Sequence, residues 1–304
     1  VPDVLLASCA PAAGADEDEP LLVAALAAEG LTAEAADWAD DGVDWGAARL
    51  VVVRSTWDYA PRRGEFLTWA RRVEAVTALH NPAAVLAWNT DKRYLRELAA
   101  DGVPVVPTAW AEHPGEVAAA LEPWPRDVVV KPVVSAGARD TARFGPAERA
   151  EATALAERVL AGGRAVMVQP YLDRLDAEGE TGLVYVDGEF GHAFGKGALL
   201  AGGALGPGLY AEEEITRRTA TPGQRALGDR VLGWVAARTG AAPLYARVDL
   251  VPGADGAPQV IEVELTEPSL FLTTDDGAAA RLAAAVSARL RAPRAPRPAA
   301  GGAR

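Results

Sequence analysis

Two segments near the end of the chain, 244–251 (LYARVDLV) and 259–265 (QVIEVEL), constrain the fold more tightly than any other part of the sequence. Both alternate polar and apolar residues, and the turn-rich PGADGAP lies between them. A strand sends successive side chains to opposite faces, so Arg247 shares a face with Asp249, and Glu262 with Glu264. Val248, Leu250, Ile261 and Val263 make up the apolar faces. Burying both apolar faces together sets Asp249 opposite Glu262 and Arg247 opposite Glu264, because a slip of one residue would mix the faces. Three carboxylates and one guanidinium then converge. Like charges placed opposite each other cost about 0.2–1 kcal/mol per pair, so a cation is expected among them. Oxygen-only donors suit Mg²⁺, which takes one or two carboxylates together with phosphate oxygens and water. A solvated polar face on an edge hairpin is the alternative reading of the same residues.

The remaining pattern reads as three lobes of mixed α/β and α+β character. Strands at 3–7 and 49–55 with helices at 18–29 and 65–78 predict a small α/β lobe over residues 1–90. Helix starts follow at Asn81-Pro82 and Thr90-Asp91, the second placing Lys92 in the first turn of a helix that ends at Gly102. Shorter elements come next, with strands at 105–110, 127–134 and 165–171 and helices at 114–121 and 146–161, forming a lobe over 91–172. Strands at 180–186 and 189–194, split by the hairpin turn Asp187-Gly188, open a third lobe over 173–291. A helix at 221–239, the acidic hairpin and a closing helix at 275–291 complete it, and a disordered tail is expected over 292–304.

A net charge of -12 argues against nucleic acid and anionic membranes, both of which are bound through Lys and Arg. The sequence contains no uninterrupted apolar run of about 18 residues, and its first ten residues lack the basic region of a secretory signal. With a single cysteine, Cys9, the expectation is a cytoplasmic protein that acts on small molecules. No G-x-G-x-x-G follows the first strand, which argues against a dinucleotide oxidoreductase.

Of thirty basic residues only Lys92, Lys131 and Lys196 are lysine. An ammonium is a compact charge suited to a single phosphate oxygen, so lysines retained among so many arginines draw notice. Lys131 interrupts the apolar run DVVVKPVV and precedes the small-residue loop Ser135-Ala136-Gly137-Ala138, a combination that can clamp a nucleotide, with Arg139 as a further anion ligand. An edge-strand lysine facing water is the alternative. Gln169, Pro170, Tyr171 and Leu172 form an interlobe segment whose backbone can meet an adenine edge, and Glu180 can accept ribose hydroxyls. Arg54, Ser55 and Thr56 follow a strand and can hold a substrate carboxylate, although a surface ion pair explains Arg54 equally well. Trp57, Trp69 and Trp88 read as packing residues, and His192 as a hydrogen-bonded structural histidine.

In this order the motifs resemble the ATP-grasp superfamily over nearly the whole chain. Its pattern is a lysine opening the nucleotide lobe, a second on a lid strand, a hinge, a ribose carboxylate, and an Asp followed thirteen residues later by Glu-x-Asn. Lys92, Lys131, Gln169 to Leu172, Glu180, and Asp249 with Glu262-Val263-Glu264 match it in turn. Glu264 departs from the usual Asn. The resemblance implies ATP and Mg²⁺ as cofactors, Asp249, Glu262 and Glu264 as metal ligands, and Arg247, Lys196 and Arg139 acting on the transferred phosphate. RSTWDY at 54–59, LHNPAAVLAWNTDKRYL at 79–95, GVPVVPT at 102–108 and ELTEPSLFL at 264–272 are similar to a glutathione-synthetase-like branch that includes O-ureido-D-serine cyclo-ligases. The expected partners are ATP and an amino-acid-like small molecule, and a homodimer is left open. Ligation between two molecules, or an ATP-binding module without chemistry, remain the alternatives.

Overall fold

The computed structural model describes residues 1–137, 139–198 and 214–292. The apolar runs of β1 (Val4–Ser8) and β3 (Leu50–Val53) form the centre of a four-stranded parallel sheet edged by β2 (Ala33–Asp37) and β4 (Ala78–His80), in the order β2-β1-β3-β4. Helices α1 (Asp18–Ala28) and α2 (Arg63–Val76) connect these strands, as parallel pairing requires. Two short helices, α3 (Ala83–Asn89) and α4 (Tyr94–Ala100), lead out of the sheet. A second four-stranded sheet contains β5 (Ala109–Ala111), β6 (Val128–Pro132), β7 (Ala142–Phe144) and β8 (Val166–Pro170), backed by α5 (Val117–Leu121) and α6 (Arg149–Ala161).

After the single turn α7 (Leu175–Glu178), a third sheet has five antiparallel strands: β9 (Glu180–Val186), β10 (Glu189–Lys196), β11 (Ile215–Arg218), β12 (Tyr245–Pro252) and β13 (Pro258–Glu264). Their order is β11-β10-β9-β12-β13. Helix α8 (Pro222–Thr239) opens on a reciprocal cap, the Thr221 hydroxyl accepting from Gln224 N at 3.2 Å and the Gln224 side chain accepting from Thr221 N at 2.8 Å. Helix α9 (Ala278–Arg291) packs Leu282, Ala283 and Val286 into a core shared with Leu22 and Leu26 of α1. Among the described residues no helix is long and apolar enough to cross a membrane.

The hairpin register follows from burying its apolar faces: Arg247 lies opposite Glu264, Val248 opposite Val263 and Asp249 opposite Glu262. Beyond Asp249 a bulge intervenes, so Leu250 pairs with Val260 rather than Ile261. The extra residue turns Ile261 out of the buried apolar face and toward a cleft, a rotation that period-two reasoning misses.

Several elements differ from the sequence expectation. Lys92 lies in a turn two residues before α4 rather than inside its first helical turn. The expected strand at 105–110 divides at Pro107, which offers no N–H to a ladder. Its first part bonds to β13, with Val106 N donating to Val260 O at 3.0 Å and Val260 N to Pro104 O at 2.9 Å, while only 109–111 pair with β8. Strand β10 continues to Lys196 instead of ending at Phe194. Strands β2 and β11 were not expected, since their sequences AEAAD and ITRR carry little strand propensity and pair at sheet edges through tertiary context. The tail from 293 onward and Ala138 of the small-residue loop lie outside the described residues.

His80, at the end of β4, is partly buried, and its Nδ1 has no hydrogen-bond partner among the described residues. Burial, followed by the charge of Arg289, lowers its pKa from 6.5 to about 4. A folded pKa depressed below the unfolded one makes the neutral form the stabilising one. That contribution is complete above pH 6.5 and is lost as pH falls toward 4. His80→Gln should therefore flatten the pH dependence of unfolding in this window by about 3 kcal/mol, read as the difference between wild-type and variant denaturation midpoints at several pH values.

Candidate active site

The second and third sheets face each other across a cleft of about 1590 Å³, open solvent included. Val129, Pro170, Tyr171, Leu172, Val251 and Ile261 supply apolar lining. Four cations, Lys92, Lys131, Lys196 and Arg247, face five acids, Glu180, Asp249, Glu262, Glu264 and Glu267.

The lysines arrive from three separate elements and have different surroundings. Lys92 Nζ is 2.9 Å from a Glu262 oxygen and donates to Ser135 O at 3.0 Å. Burial opposes its charge, but Glu262 and then Glu264 outweigh this and hold its pKa above the ordinary lysine value. Lys196 lies 3.9 Å from Glu180. Lys131 is 9 % exposed, and among the described residues its ammonium forms no hydrogen bond or ion pair. Burial lowers its pKa, Glu262 offsets part of that, and Lys92 and Lys196 add repulsion. A buried ammonium without a counter-ion costs free energy until an anion arrives.

Arg247 organises the acids. Its Nε donates to both Asp249 oxygens at 2.8 and 3.1 Å, its Nη2 reaches Asp249 Oδ2 at 2.8 Å as well as Glu264, and its Nη1 donates to Ser269 O at 2.8 Å. Burial raises the Asp249 pKa, but Arg247, then Lys196, more than compensates, so this acid stays below its ordinary value. Glu264 moves the other way: burial first, with Glu262 and Asp249 adding to it against the pull of Arg247, lifts it to about 7. Among the described residues no three His, Cys, Asp or Glu side chains could hold a metal by themselves. The three acids therefore do not close into a cage, because the guanidinium stands between Asp249 and Glu264. Oxygen donors on the Asp249–Glu262 pair still fit the one or two carboxylates that Mg²⁺ takes beside phosphate oxygens. Gly182, opposite both Asp249 and Phe194, leaves space for the Phe194 ring, which a Cβ there would meet at 2.1 Å.

Comparison with known proteins identifies the family. Residues 4–81 match the model for the N-terminal domain of D-cycloserine synthetase DcsG. The chain is 41% identical over 286 residues to cycloserine biosynthesis protein DcsG of Streptomyces lavendulae, covering 91% of this chain and 95% of that one. The chain belongs to the DcsG family of ATP-grasp ligases. Its structure superposes on the crystal structure of D-cycloserine synthetase DcsG with a TM-score of 0.88 at 39% identity, covering 95% of this chain and 99% of that one. The ATP complex of D-alanine–D-alanine ligase from Bacillus anthracis shares the fold alone, with a TM-score of 0.66 at 15% identity over 96% of this chain and 99% of that one. As a member of this family the chain is a ligase.

Within this ligase the cleft gathers most of the residues singled out from sequence: Lys92, Lys131, Gln169, Pro170, Tyr171, Leu172, Glu180, Lys196, Arg247, Asp249, Glu262 and Glu264 all line it. Gln169 is buried, its Nε2 donating to Thr108 Oγ1 at 2.9 Å. Arg139 is exposed and does not line the cleft. Nor do Arg54, Ser55 and Thr56, which lie beneath it. Arg54 Nη2 donates to Pro268 O at 3.0 Å, the Ser55 hydroxyl to Asp16 at 2.7 Å, and Thr56 is fully buried. Trp57, expected as packing alone, also faces the cleft, whereas Trp69 is core. His192 meets its structural expectation, with Nε2 at 2.9 Å from Leu270 O.

Sequence reasoning missed Asn81, Asn89 and Tyr94, which satisfy the free side of β13 and the residues beyond it. Tyr94 OH accepts from Val263 N and donates to Val263 O, both at 2.9 Å. Asn89 donates to Val263 O and accepts from Leu265 N, both at 2.7 Å, and Asn81 donates to Leu265 O at 2.7 Å. The available signal was a pair of asparagines at buried positions within LHNPAAVLAWNT, where an apolar residue is the norm.

Proposed function

We propose that the cleft binds ATP with Mg²⁺ and an amino-acid-like substrate, and that the substrate is O-ureido-D-serine, cyclised to D-cycloserine. The observation that carries the reading is Lys131, a buried ammonium that forms no hydrogen bond or ion pair among the described residues, beside two further lysines and the Asp249–Glu262 pair. Lys92, Lys131 and Lys196 would hold the phosphates as point charges. The 169–172 backbone would meet the adenine edge between Val129 and Ile261, and Glu180 would accept the ribose hydroxyls. Asp249 and Glu262, with Glu264 at their side, would hold Mg²⁺, which when bound neutralises charge on the phosphates. Arg247 would stabilise negative charge developing on the transferred group and on the tetrahedral centre formed when the oxygen-bound ureido nitrogen attacks the acyl phosphate; phosphate then leaves, and hydrolysis releases the carbamoyl group as carbon dioxide and ammonia. Phosphoryl transfer asks little covalent help of a protein, so positioning and charge carry the rate. Lobe limits near residues 90 and 172 belong to the same reading, supported by the three separate sheets.

Incubation with ATP, Mg²⁺ and O-ureido-D-serine, followed by ADP measurement and mass spectrometry, tests it. The expected result is substrate-stimulated ADP release with a product of the mass of cycloserine. A product that joins two molecules would move the reading to intermolecular ligation. No stimulated ADP across a panel of amino acids would leave a nucleotide-binding module.

A further inference from the structure

The 265–272 segment that follows the acidic hairpin is held by side chains along nearly its whole length. Asn89 and Asn81 take the backbone of Leu265, and Tyr245 OH donates to Thr266 O at 2.9 Å. Trp57 Nε1 donates to Glu267 O at 3.2 Å, Arg54 to Pro268 O at 3.0 Å and Arg247 to Ser269 O at 2.8 Å. The buried Asp18 carboxylate accepts from Leu270 N, Phe271 N and Leu272 N at 2.6, 3.1 and 2.7 Å. So much fixing of a loop backbone is the expected support for a group that must be placed accurately.

The Glu267 carboxylate is not part of this clamp. It lines the cleft, half-buried, and among the described residues it forms no hydrogen bond or ion pair. Tyr59 lines the same part of the cleft, is 3 % exposed, and its hydroxyl forms no hydrogen bond among the described residues either. Trp57 lines the cleft as well, its Nε1 bonded to Glu267 O, and the charge of Glu267 adds to the burial that raises the Tyr59 pKa, which sets the three residues close together. Burial and then the charge of Glu264 push the Glu267 pKa well above its ordinary value, and the charges of Lys92 and Arg247 offset only part of this, whereas the guanidinium bonded directly to Asp249 holds that acid low. A carboxylate, a phenol and an indole in one corner suit a small ammonium, through charge, hydrogen bonding and ring-face attraction.

We infer that Glu267, with Tyr59 and Trp57, binds the protonated primary amine of the ligase's small substrate and so orients the rest of that molecule toward the lysines and Arg247. The inference rests on the proposed reading that the cleft takes an amino-acid-like substrate, and adds which group recognises its amine. Arg54 and Asp18 then act as positioning residues for the Glu267 loop.

Isothermal titration into protein holding ADP and Mg²⁺ tests it with two matched pairs of probes: O-ureido-D-serine against 3-(ureidooxy)propanoate, and D-serine against 3-hydroxypropanoate, the second of each pair lacking the amine. Wild type should prefer at least one amine-bearing probe by tenfold or more. Glu267→Gln should weaken that probe about 10- to 100-fold, bring it level with its amine-free partner, and leave ADP affinity unchanged. Tyr59→Phe, which removes a hydroxyl the fold does not use, should weaken it about threefold. The idea is overturned if wild type fails to distinguish the amine in either pair, if Glu267→Gln binds the amine-bearing probe as wild type does, or if the variant loses ADP affinity in parallel. A wild type that discriminates D-serine yet ignores both ureido probes would uphold the amine site while removing O-ureido-D-serine from the proposed function.

Discussion

Lys131→Met is expected to leave the fold intact and to cut substrate-dependent ADP formation by about 10³-fold. The two halves of this expectation have one cause. The Lys131 ammonium makes no hydrogen bond or ion pair among the described residues, while burial and the charges of Lys92 and Lys196 work against it. Removing that charge should therefore not lower the denaturation midpoint, and relief of repulsion can raise stability by about 1 kcal/mol. An isolated strand lysine facing water would give no rate loss. A lysine needed for folding would lose stability together with rate. Steady-state kinetics and thermal melts on the same preparation separate the three cases, and activity retained within a factor of three would remove Lys131 from the phosphate site. Arginine at this position should rescue poorly, since its planar fork is longer and wider than the point charge it replaces.

Asn89→Leu should cost about 3 kcal/mol of stability. The side chain is buried and bonds Val263 O, Leu265 N and the Thr266 hydroxyl. Leucine fills the space but leaves the Leu265 amide without its partner, worth about 1–3 kcal/mol once desolvated, and takes one of two donors from Val263 O, which keeps Tyr94 OH. Thr266→Val removes only one of these bonds and should cost about 1 kcal/mol. Denaturant unfolding of the two variants gives the comparison. Equal losses would mean that the amide network does not lock this strand. Because β13 carries Glu262 and Glu264, Asn89→Leu should also weaken nucleotide binding at temperatures where the fold survives.

The acidic hairpin was legible because its chemistry is local. Alternation places Arg247, Asp249, Glu262 and Glu264 on faces that only one register can bury consistently, and the structure has that register. Lys92, Lys131, Lys196 and Glu180 could be ordered along the chain by the same reading, and all of them line the cleft. What alternation cannot encode is a change of phase. The bulge after Asp249 turns Ile261 from the buried face to the cleft, and nothing in QVIEVEL announces it.

The role of the N-terminal motif RSTWDY also depended on distance in space. Arg54 and Ser55 carry the residue types of an anion site, yet they fall beneath the cleft, where Arg54 supports a carbonyl 214 residues away, while Trp57 and Tyr59 of the same motif face the ligand space. A sequence states which groups are present and which share a face over a few residues. Which unpaired backbone groups they meet, and which side chain is left without a partner in the cleft, is decided by packing among segments far apart in the chain. Burial makes each unmet polar group costly, so Asn81, Asn89 and Tyr94 are used on the strand edge, while Lys131, Tyr59 and Glu267 are left facing the cleft for a ligand.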